Sequence, residues 1–598
     1  MIRVYLNNVN SRQINDKEFF QWYYKNKVNY RRSKGMTLLK ELIKLKREKM
    51  KEYIQVPHDN DRLKPYIEKP LISADGIFTR TQFSRDRDRI KFSRAFRRLE
   101  HKAQIYSHEK GDHFRTRLTH TLAVSQISRS LAKNLGLDEE LVDAITLGHD
   151  IGHTPFGHQG ERTLDKIMSG EDDLSGKIKY SINYGGFKHN FHSLKVLDEL
   201  EVKHRYHKGL NLTWQVMEGI LKHTKIRRHK PNECTNCGGC WDIKRFVNDE
   251  NFLKEYMDYN FSVTLEGQIV AIADEIAQRQ HDIDDGLMDK DLGITLDDVC
   301  DYLLCEFKKI AIEMETVHTN SIMDKYSLSH LDNLKYLIEG IEYINMDIGI
   351  ERENLYKVGT LSTRVLNFFI QDVTISSLKN IGSITENDIE RKNDRLIIKK
   401  KVIDFSFAAK KVNDIIESYI KRKILNSYNV NRFDAKAVFI IKQLFKAYYS
   451  NPRQMPEYIL ERLLNRIKPI LDNIYDIKFC DGKKIRDINF VDSKPDEVNR
   501  IVNLMKLRVD FKELDIPEGF NMEKIKSMGY INEDRTLNKT KLTKLAKANY
   551  NEKFDNAESM LKALAEIQYA YLSVICDYIA GMTDNFACTE FKKLYLVI

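Results

Sequence analysis

Apolar residues recur at helical spacing along most of the chain, whereas the alternation typical of strands is scarce. Residues 115–135 show this spacing clearly, and Gly136 follows them as a helix stop signal. The apolar positions of this segment are Leu118, Leu122, Ile127, Leu131 and Leu135. A second helix is predicted to begin after Asp138, a suitable N-cap residue, and to end at His149 and Asp150. The pattern therefore predicts a mainly α fold.

A third helix is predicted within the segment LEGQIVAIADEIAQRQHDIDD. Asp274, Gln278 and Asp282 recur there at intervals of one helical turn, so they share a face of this helix. Closer to the N-terminus, the apolar spacing between Thr37 and Tyr53 predicts one further amphipathic helix.

The distribution of these patterns divides the chain into five parts. We expect an N-terminal extension, a helical core with most of the candidate chemistry, a helical region completing this core, a charged insertion or lobe, and a C-terminal helical segment. In chain order these parts are residues 1–60, 61–290, 291–470, 471–555 and 556–598. The core also carries a small cysteine-rich insertion, residues 229–242.

Composition indicates a globular protein, because 42% of the 598 residues are hydrophobic and 31% are charged. No apolar run reaches the roughly 18 residues that a membrane span needs, and the N-terminus lacks the apolar stretch of a signal peptide. We therefore expect a cytoplasmic protein with reduced thiols and no membrane partner. Lys and Arg outnumber Asp and Glu by 97 to 87. This surplus suits an anionic ligand without choosing between a nucleotide and a nucleic acid.

Four residues on the three predicted helices are candidate metal ligands: His120, His149, Asp150 and Asp274. His149 and Asp150 are adjacent at a helix end, so both side chains can turn toward one cation. Two imidazoles and two carboxylates make a mixed nitrogen and oxygen site, which suits Mn, Fe, Ni, Co, Zn or Mg. A lone histidine on a helix is more often a packed or solvated residue, and a His-Asp dipeptide alone is a weak signal. The metal interpretation therefore depends on the surrounding sequence.

The segment HDIGHTPFGHQGE, residues 149–161, strengthens the metal interpretation. It combines histidines and acidic residues with glycines and a proline, which favour a tight turn. We expect this loop to present His153 and His158 beside the metal. A helix is predicted to begin near Gln159, so that its N-terminus would face an anion. The alternative is a loop that merely caps helices.

A cysteine cluster lies in the segment HKPNECTNCGGCWD, where Cys234, Cys237 and Cys240 follow His229. Three thiolates and an imidazole could form a structural zinc site. Because a second CxxC pair is missing, a reduced loop without metal remains the alternative.

Taken together, these motifs resemble the dGTPase-like dNTP triphosphohydrolases, a family of the HD-domain superfamily. The matching segments are SRDRDRIKFSRAFRRLEHKAQIY (84–106), GDHFRTRLTHTLAVSQ (111–126), LGHDIGHTPFGHQGE (147–161), GLNLTWQVMEGILKH (209–223) and ADEIAQRQHDIDD (273–285). Weaker matches are LFKAYYSNPRQMP (444–456) and CDYIAGMTD (576–584). The resemblance implies an HD-domain helical core and a reaction in which a dNTP and water give a deoxynucleoside and inorganic triphosphate. We expect dGTP as the favoured substrate.

The resemblance also implies catalytic roles. The four candidate ligands would bind a divalent metal, for which Mn, Mg, Fe, Ni and Co are candidates. His153 and His158 would lie at the phosphates, with His158 as a proton-transfer residue. Glu161 would pair with His158 or orient the water. His189, in FKHNFHS, is a further catalytic candidate with a looser motif.

Four residues match substrate-binding positions of the family. Gln104 matches a residue that touches the sugar, and Arg117 matches one that holds the α-phosphate. Asp282 matches an aspartate that reads the 3′-hydroxyl. Gln278 stands where the family usually has a Tyr that packs on the sugar and helps to exclude a 2′-hydroxyl. This departure puts sugar discrimination in question.

Two other functions remain open from the sequence. One is another HD-type nucleotide phosphohydrolase, although RLEHKAQIY and LNLTWQVMEG, outside the HD core, argue against it. The other is a regulatory protein that binds dNTPs or single-stranded nucleic acid and hydrolyses little. By resemblance we also expect a homo-oligomer and a nucleotide effector.

Overall fold

The computed structural model describes most of the chain. The described residues are 44–56, 62, 80–106, 111, 113–178, 184–203, 205, 207–224, 259–319, 325–346, 351–392, 395–474 and 557–596. The cysteine cluster at 229–242 and residues 475–555 of the predicted insertion lie outside them, as does most of the N-terminal extension. Residues 44–51 are helical and form the described part of the helix predicted between Thr37 and Tyr53.

The described part of the chain is almost entirely helical, which confirms the predicted fold class. The helices are α1 (Gln82–Lys91), α2 (Arg94–Arg98), α3 (Arg117–Leu135), α4 (Glu139–His149), α5 (Gly157–Met168), α6 (His189–Lys195), α7 (Trp214–Lys222), α8 (Leu265–Met288), α9 (Leu296–Thr319), α10 (Lys325–Met346), α11 (Glu351–Asn380), α12 (Phe407–Ile420), α13 (Tyr428–Ser450), α14 (Glu457–Ile474), α15 (Ala557–Ala580) and α16 (Asp584–Tyr595). Short 3₁₀ turns are Leu99–His101, Lys290–Leu292, Ile381–Ser383, Glu386–Asp388 and Pro452–Gln454, and π turns are Val196–Leu200 and Lys421–Leu425.

Helices α3 and α4 have the predicted signals at Gly136 and Asp138. Thr116 caps α3 by accepting the N–H of Thr119, and Gly136 ends it with a φ of 76°. Asp138 caps α4 through the N–H of Leu141. Leu122 differs from its predicted place on an apolar face, because its side chain is 52% exposed.

A small hairpin was not predicted. Strands β1 (Ile389–Lys392) and β2 (Arg395–Ile398) pair antiparallel, with Ile389 opposite Ile398. The N–H of Ile398 donates to the carbonyl of Val263 at 2.9 Å, so the hairpin is attached just before α8. Strands this short leave no alternation long enough to recognise in the sequence.

Two buried apolar clusters organise the described residues. The larger is formed mainly by helices α1 to α4 and α6 to α12, and the smaller by α5 and α13 to α16. The loop of residues 150–156 joins them, because Ile151 belongs to the larger cluster and Phe156 to the smaller. The loop that carries His153 is therefore fixed from both sides.

Helices α4 and α7 approach closely because each presents a glycine to an isoleucine of the other. A Cβ added at Gly148 would clash with Ile220, and one added at Gly219 would clash with Ile145. The close contact brings the C-terminal ends of the two helices together. Their terminal histidines, His149 and His223, have ring centroids 5.1 Å apart.

Candidate active site

The structure brings the four predicted metal ligands together. The Nε2 atom of His120 lies 2.9 Å from Oδ1 of Asp274, and Nε2 of His149 lies 3.4 Å from Oδ1 of Asp150. His149 Nε2 is also 3.8 Å from Asp274 Oδ1. These four residues, which we call the metal-ligand cluster, come from the separate helices α3, α4 and α8 and from the residue after α4.

The cluster has the donor chemistry of a divalent-metal site. The Nδ1 atom of His149 donates to the carbonyl of Thr146 at 2.6 Å, which leaves the Nε2 atom as an acceptor. Among the described residues, this buried Nε2 atom has no hydrogen-bond partner. A buried acceptor without a partner costs free energy, and a bound cation would satisfy it.

The two aspartates of the cluster are held as carboxylates. Burial alone would raise the pKa of Asp150, but His149, Arg117 and His153 outweigh burial and hold this pKa well below its usual range. For Asp274, the hydrogen bond from His120 and the nearby His149 overcome burial and lower the pKa in the same way. Ionised carboxylates are the form that binds a cation.

The 150–156 loop carries His153 into the site. His153 Nε2 lies 3.2 Å from Asp150 Oδ1, and its ring stacks on that of His189 with centroids 3.8 Å apart. Burial, followed by the charges of Arg117 and His189, lowers the pKa of His153 well below its usual value. His153 is therefore neutral at neutral pH.

Glu161 and His189 form a buried pair behind this loop. The Nδ1 atom of His189 lies 2.7 Å from Oε2 of Glu161. Burial would raise the pKa of Glu161, but His189, His153 and Lys188 lower it well below its usual range. Glu161 is therefore a carboxylate, and it accepts a hydrogen bond from the Nδ1–H group of His189.

His158 stands in the first turn of α5, close to the predicted start near Gln159. Its side chain is exposed to solvent, and its ring lies edge-on to His153 with centroids 5.4 Å apart. Surrounding protein atoms still reduce its hydration, and together with Arg117 they lower its pKa to about 4.

Arg117 presents unused donors within the site. Its Nη1 atom donates to Asp150 Oδ2 at 2.8 Å. Its Nε and Nη2 atoms are buried and have no hydrogen-bond partner in the described part of the chain. Two adjacent guanidinium donors suit a phosphate oxygen pair.

Asp584, at the start of α16, holds the far side of the loop. Its Oδ1 accepts the N–H of Phe156 and its Oδ2 accepts the N–H of Ala103, both at 2.9 Å. Phe156 has a φ of 61°, which is uncommon for a residue with a side chain. Buried Lys102 donates to the carbonyls of His153 and Ala580. The segment after α15 thus positions the residues around His153 and His158.

Four charged side chains that are buried or partly buried contact one another near the loop. We call Lys195, Glu199, Arg466 and Asp577 the ion-pair cluster. Lys195 Nζ lies 2.9 Å from Asp577 Oδ1, and Arg466 bridges Asp577 at 3.2 Å and Glu199 at 2.8 Å. His192 connects the cluster to the loop, because its Nδ1 donates to the carbonyl of Gly152 at 2.9 Å.

Comparison with known proteins now adds to this geometry. The HD domain family matches residues 117–278, and the phosphohydrolase-associated domain matches residues 403–469 and 524–593. A deoxyguanosinetriphosphate triphosphohydrolase-like protein of Geobacter metallireducens is 34% identical over 397 residues, which are 66% of this chain and 85% of that protein. A protein of the same description from Bartonella tribocorum is 35% identical over 408 residues, again 66% and 85% of the two chains.

The chain belongs to the dGTPase-like HD family. It is therefore an HD-type nucleotide phosphohydrolase, and HD domains are metal-dependent hydrolases. The metal-ligand cluster lies entirely within the matched HD domain. No helix in the described ranges is long and apolar enough to cross a membrane.

Three of the residues matched to substrate contacts differ in their burial and in their local contacts. The backbone carbonyl of Gln104 lies beside Gly157 at the start of α5, and its buried Oε1 has no hydrogen-bond partner among the described residues. Asp282 is buried two turns beyond Asp274 on α8, and burial raises its pKa to about 7. Gln278 is half-buried between them, and its Oε1 accepts from Arg279 at 3.5 Å.

The sequence argument missed several residues of this dGTPase-like site. His223 contacts His189, and Nδ1 of His281 lies 3.1 Å from Nδ1 of His120. His223 is the last residue of the matching segment 209–223, and His281 lies in the matching segment 273–285. Their positions in the sequence could therefore have suggested both. Asp577 and Asp584 fall in the weaker match CDYIAGMTD, and nothing local to that segment indicates the pairing of Asp577 with Lys195 or the contact of Asp584 with the loop.

Proposed function

We propose that this protein hydrolyses dNTPs, with dGTP favoured, to a deoxynucleoside and inorganic triphosphate. The observation that carries the proposal is the convergence of the four predicted ligands beside Arg117 and the 150–156 loop. A divalent cation held by His120, His149, Asp150 and Asp274, with Mn, Mg, Fe, Ni and Co as candidates, would supply a Lewis acid and lower the pKa of a water molecule.

Arg117 would bind the α-phosphate. Its open Nε and Nη2 donors can form a charge-assisted pair of hydrogen bonds with two phosphate oxygens. These oxygens gain negative charge when water adds to the α-phosphorus, so the fixed guanidinium would also stabilise the transition state. His153, which is neutral and buried beside Asp150, would contact the phosphates.

His158 would donate the proton that the leaving group needs. In the reaction, water forms a bond to the α-phosphorus while the bond from that phosphorus to the 5′-oxygen breaks, and the 5′-oxygen takes up a proton. The pKa of His158 is about 4 without substrate. An adjacent triphosphate adds negative charge, which raises the pKa of an imidazole. Glu161 and His189 would orient the attacking water.

Three further residues would set substrate recognition. Gln104 would offer to the sugar its buried Oε1, which has no partner among the described residues, and Asp282 would accept a hydrogen bond from the 3′-hydroxyl. Gln278 lies between Asp274 and Asp282 on the same face of α8, where an amide discriminates less against a 2′-hydroxyl than a packed Tyr would.

Product analysis tests this function directly. The metal-loaded protein is incubated with each dNTP and each NTP, and the products are separated by ion exchange. We expect inorganic triphosphate and a deoxynucleoside, with the highest rate for dGTP. Release of orthophosphate or pyrophosphate instead would assign another phosphohydrolase reaction. Binding of single-stranded DNA that weakens with salt, survives the loss of His149 and is not accompanied by turnover would assign the regulatory function.

The resemblance also motivates proposals about assembly. We propose a homo-oligomer and a nucleotide effector from the resemblance, and a structural zinc at Cys234, Cys237, Cys240 and His229 from the spacing of the cysteines. Sedimentation with and without dNTPs, together with elemental analysis for zinc, tests all three.

A further inference from the structure

A buried histidine that is not one of the four proposed ligands contacts one of them. His281 lies on α8 about two turns after Asp274, so the two side chains are on the same face of this helix. The Nδ1 atom of His281 lies 3.1 Å from Nδ1 of His120, and the two rings meet edge-on with centroids 5.2 Å apart. Each of the two histidines is 1% exposed. The proposed reaction assigns no role to His281.

The position of His120 determines which of its ring nitrogens carries the proton when it binds a cation. Its Nε2 atom faces the other ligands, at 2.9 Å from Oδ1 of Asp274 and 4.0 Å from Oδ2 of Asp150. A nitrogen that binds a cation through its lone pair carries no proton, so the proton of the neutral ring is on Nδ1. An Nδ1–H group that is buried needs a hydrogen-bond acceptor.

His281 provides this acceptor. In the part of the chain that the structure describes, Nδ1 of His281 is the one hydrogen-bond partner of Nδ1 of His120. The carbonyl of Thr116, one turn earlier, already accepts the backbone N–H of His120. Nδ1 of His281 can accept only if the proton of its own ring is on Nε2. The contact therefore sets the tautomer of both histidines.

His149 meets the same requirement in a different way. Its Nδ1 atom donates to the carbonyl of Thr146 at 2.6 Å, within the last turn of α4. This acceptor belongs to the backbone of the same helix, so the helix itself orients the ring. The acceptor for His120 is instead a side chain on another helix. The orientation of His120 thus depends on a residue that can be substituted.

We propose that His281 is a positioning residue, which orients His120 toward the cation by accepting a hydrogen bond from its Nδ1–H group. The inference rests on the proposed metal site, because this orientation matters only if His120 is a ligand. Side chains that orient a metal-binding histidine in this way typically contribute about 10- to 100-fold to metal affinity. The role does not require His281 to touch the cation or the substrate.

The Mn²⁺ affinity of three variants at residue 281 tests this role. The full chain is stripped with a chelator and titrated with Mn²⁺, and the free ion is measured by electron paramagnetic resonance. Thiolates bind Mn²⁺ poorly, so the cysteine cluster adds little to the binding. His281→Phe retains an aromatic ring but lacks the acceptor, and we expect its Mn²⁺ affinity to fall by about 10- to 100-fold.

The other two variants distinguish the hydrogen bond from packing. His281→Asn places an amide oxygen close to the position of Nδ1, so it should recover most of the affinity. His281→Gln has a longer side chain that carries its oxygen past this position, so it should not. His330→Phe is the matched control, because His330 is also buried and lies 2.5 Å from Asp372 on other helices. This control should bind Mn²⁺ as tightly as the native protein.

Native-like affinity in folded His281→Phe would overturn the positioning role, and so would equal affinities of His281→Asn and His281→Gln. Thermal unfolding of the chelator-treated proteins identifies any variant that does not fold. If His281→Phe does not fold, the comparison of the Asn and Gln variants still decides.

The failure of this role and the failure of the proposed function are distinguishable. If the native chain bound no Mn²⁺, the positioning role and the metal site would both be wrong. A native chain that binds Mn²⁺ with the expected order of variants, but releases no inorganic triphosphate from any dNTP, would remove the proposed reaction and support the role of His281.

Discussion

The metal-ligand cluster and the ion-pair cluster both connect to the 150–156 loop, the former through Asp150 and the latter through His192, and they compensate their charges differently. In the ion-pair cluster, two cations meet two carboxylates at 2.8 to 3.2 Å, so every charge has an opposite charge beside it. In the metal-ligand cluster, the buried Nε2 atom of His149 has no partner among the described residues, and neither have the Nε and Nη2 donors of the adjacent Arg117. The ion-pair cluster is electrostatically complete, whereas the metal-ligand cluster and Arg117 can still bind a cation and an anion.

The difference separates structural from reactive charge. A buried pair that is complete fixes neighbouring elements but has no capacity left for a ligand. A cluster with open acceptors and donors carries a free-energy cost that only a ligand relieves. The loop therefore connects a structural cluster with a reactive one, and a substitution can change either cluster separately.

Asp577→Ala should have the largest effect on stability. It leaves Lys195 buried without its carboxylate, and breaking a buried pair in this way costs about 3–5 kcal/mol. Urea unfolding should show this loss. Asp274→Asn, with both proteins free of metal, should cost much less, because Asp274 belongs to the incomplete cluster. Equal losses in the two variants would remove the distinction between the clusters.

His158→Ala should reduce turnover without changing the structure. The variant lacks the proposed proton donor, and losses of about 10²-fold are typical of a general acid. Metal content and unfolding free energy should match those of the native protein, since His158 is exposed and not a proposed ligand. Turnover close to native would withdraw the role of His158.

Asp584→Asn should have a smaller effect that is transmitted to the site. The amide retains one acceptor oxygen for Phe156 or Ala103 and loses the other, which costs about 1.5 kcal/mol. Because the affected loop carries His153, we expect kcat to fall more than KM rises. Asp584→Glu, which restores the charge, should recover part of kcat, whereas a purely structural residue would change stability alone.

Glu266 provides a contrast with Asp577 that depends on pH. Burial, without a cation beside it, raises the pKa of Glu266 to about 8, whereas Lys195 and its neighbours overcome burial to lower the pKa of Asp577. A raised carboxyl pKa means that the unfolded chain loses its proton first, so stability falls as pH rises from about 4.5 to about 8. Glu266→Gln should flatten this decline in urea midpoints measured across that interval. An unchanged slope would assign the decline to other groups.

Local sequence predicted the elements that form the metal-ligand cluster. N-cap and stop residues defined α3 and α4, and helical periodicity put Asp274 on the face that turns toward His120. These signals act over a few residues, so they are visible in one sequence. Their convergence at one point depended on the resemblance, because periodicity does not specify which helices pack together.

The contacts that fix the loop could not be predicted in this way. Asp584 and Phe156 are separated by 428 positions, and neither has a local signature for the other. His189 and His223 are 34 positions apart, and only the packed structure reveals that their Nε2 atoms lie 3.1 Å from each other.

The hydrogen bond that Asp584 accepts from the loop also sets an order of assembly during synthesis. Domains fold as the chain emerges from the ribosome, so α3, α4 and α8 can pack long before residue 584 has been made. At that stage the acceptor for the backbone N–H of Phe156, the carboxylate of Asp584, has not been synthesised, because it lies 428 positions downstream. A nascent chain can thus pack its ligand-bearing helices early, yet the loop gains its acceptor for the N–H of Phe156 only after translation has passed Asp584.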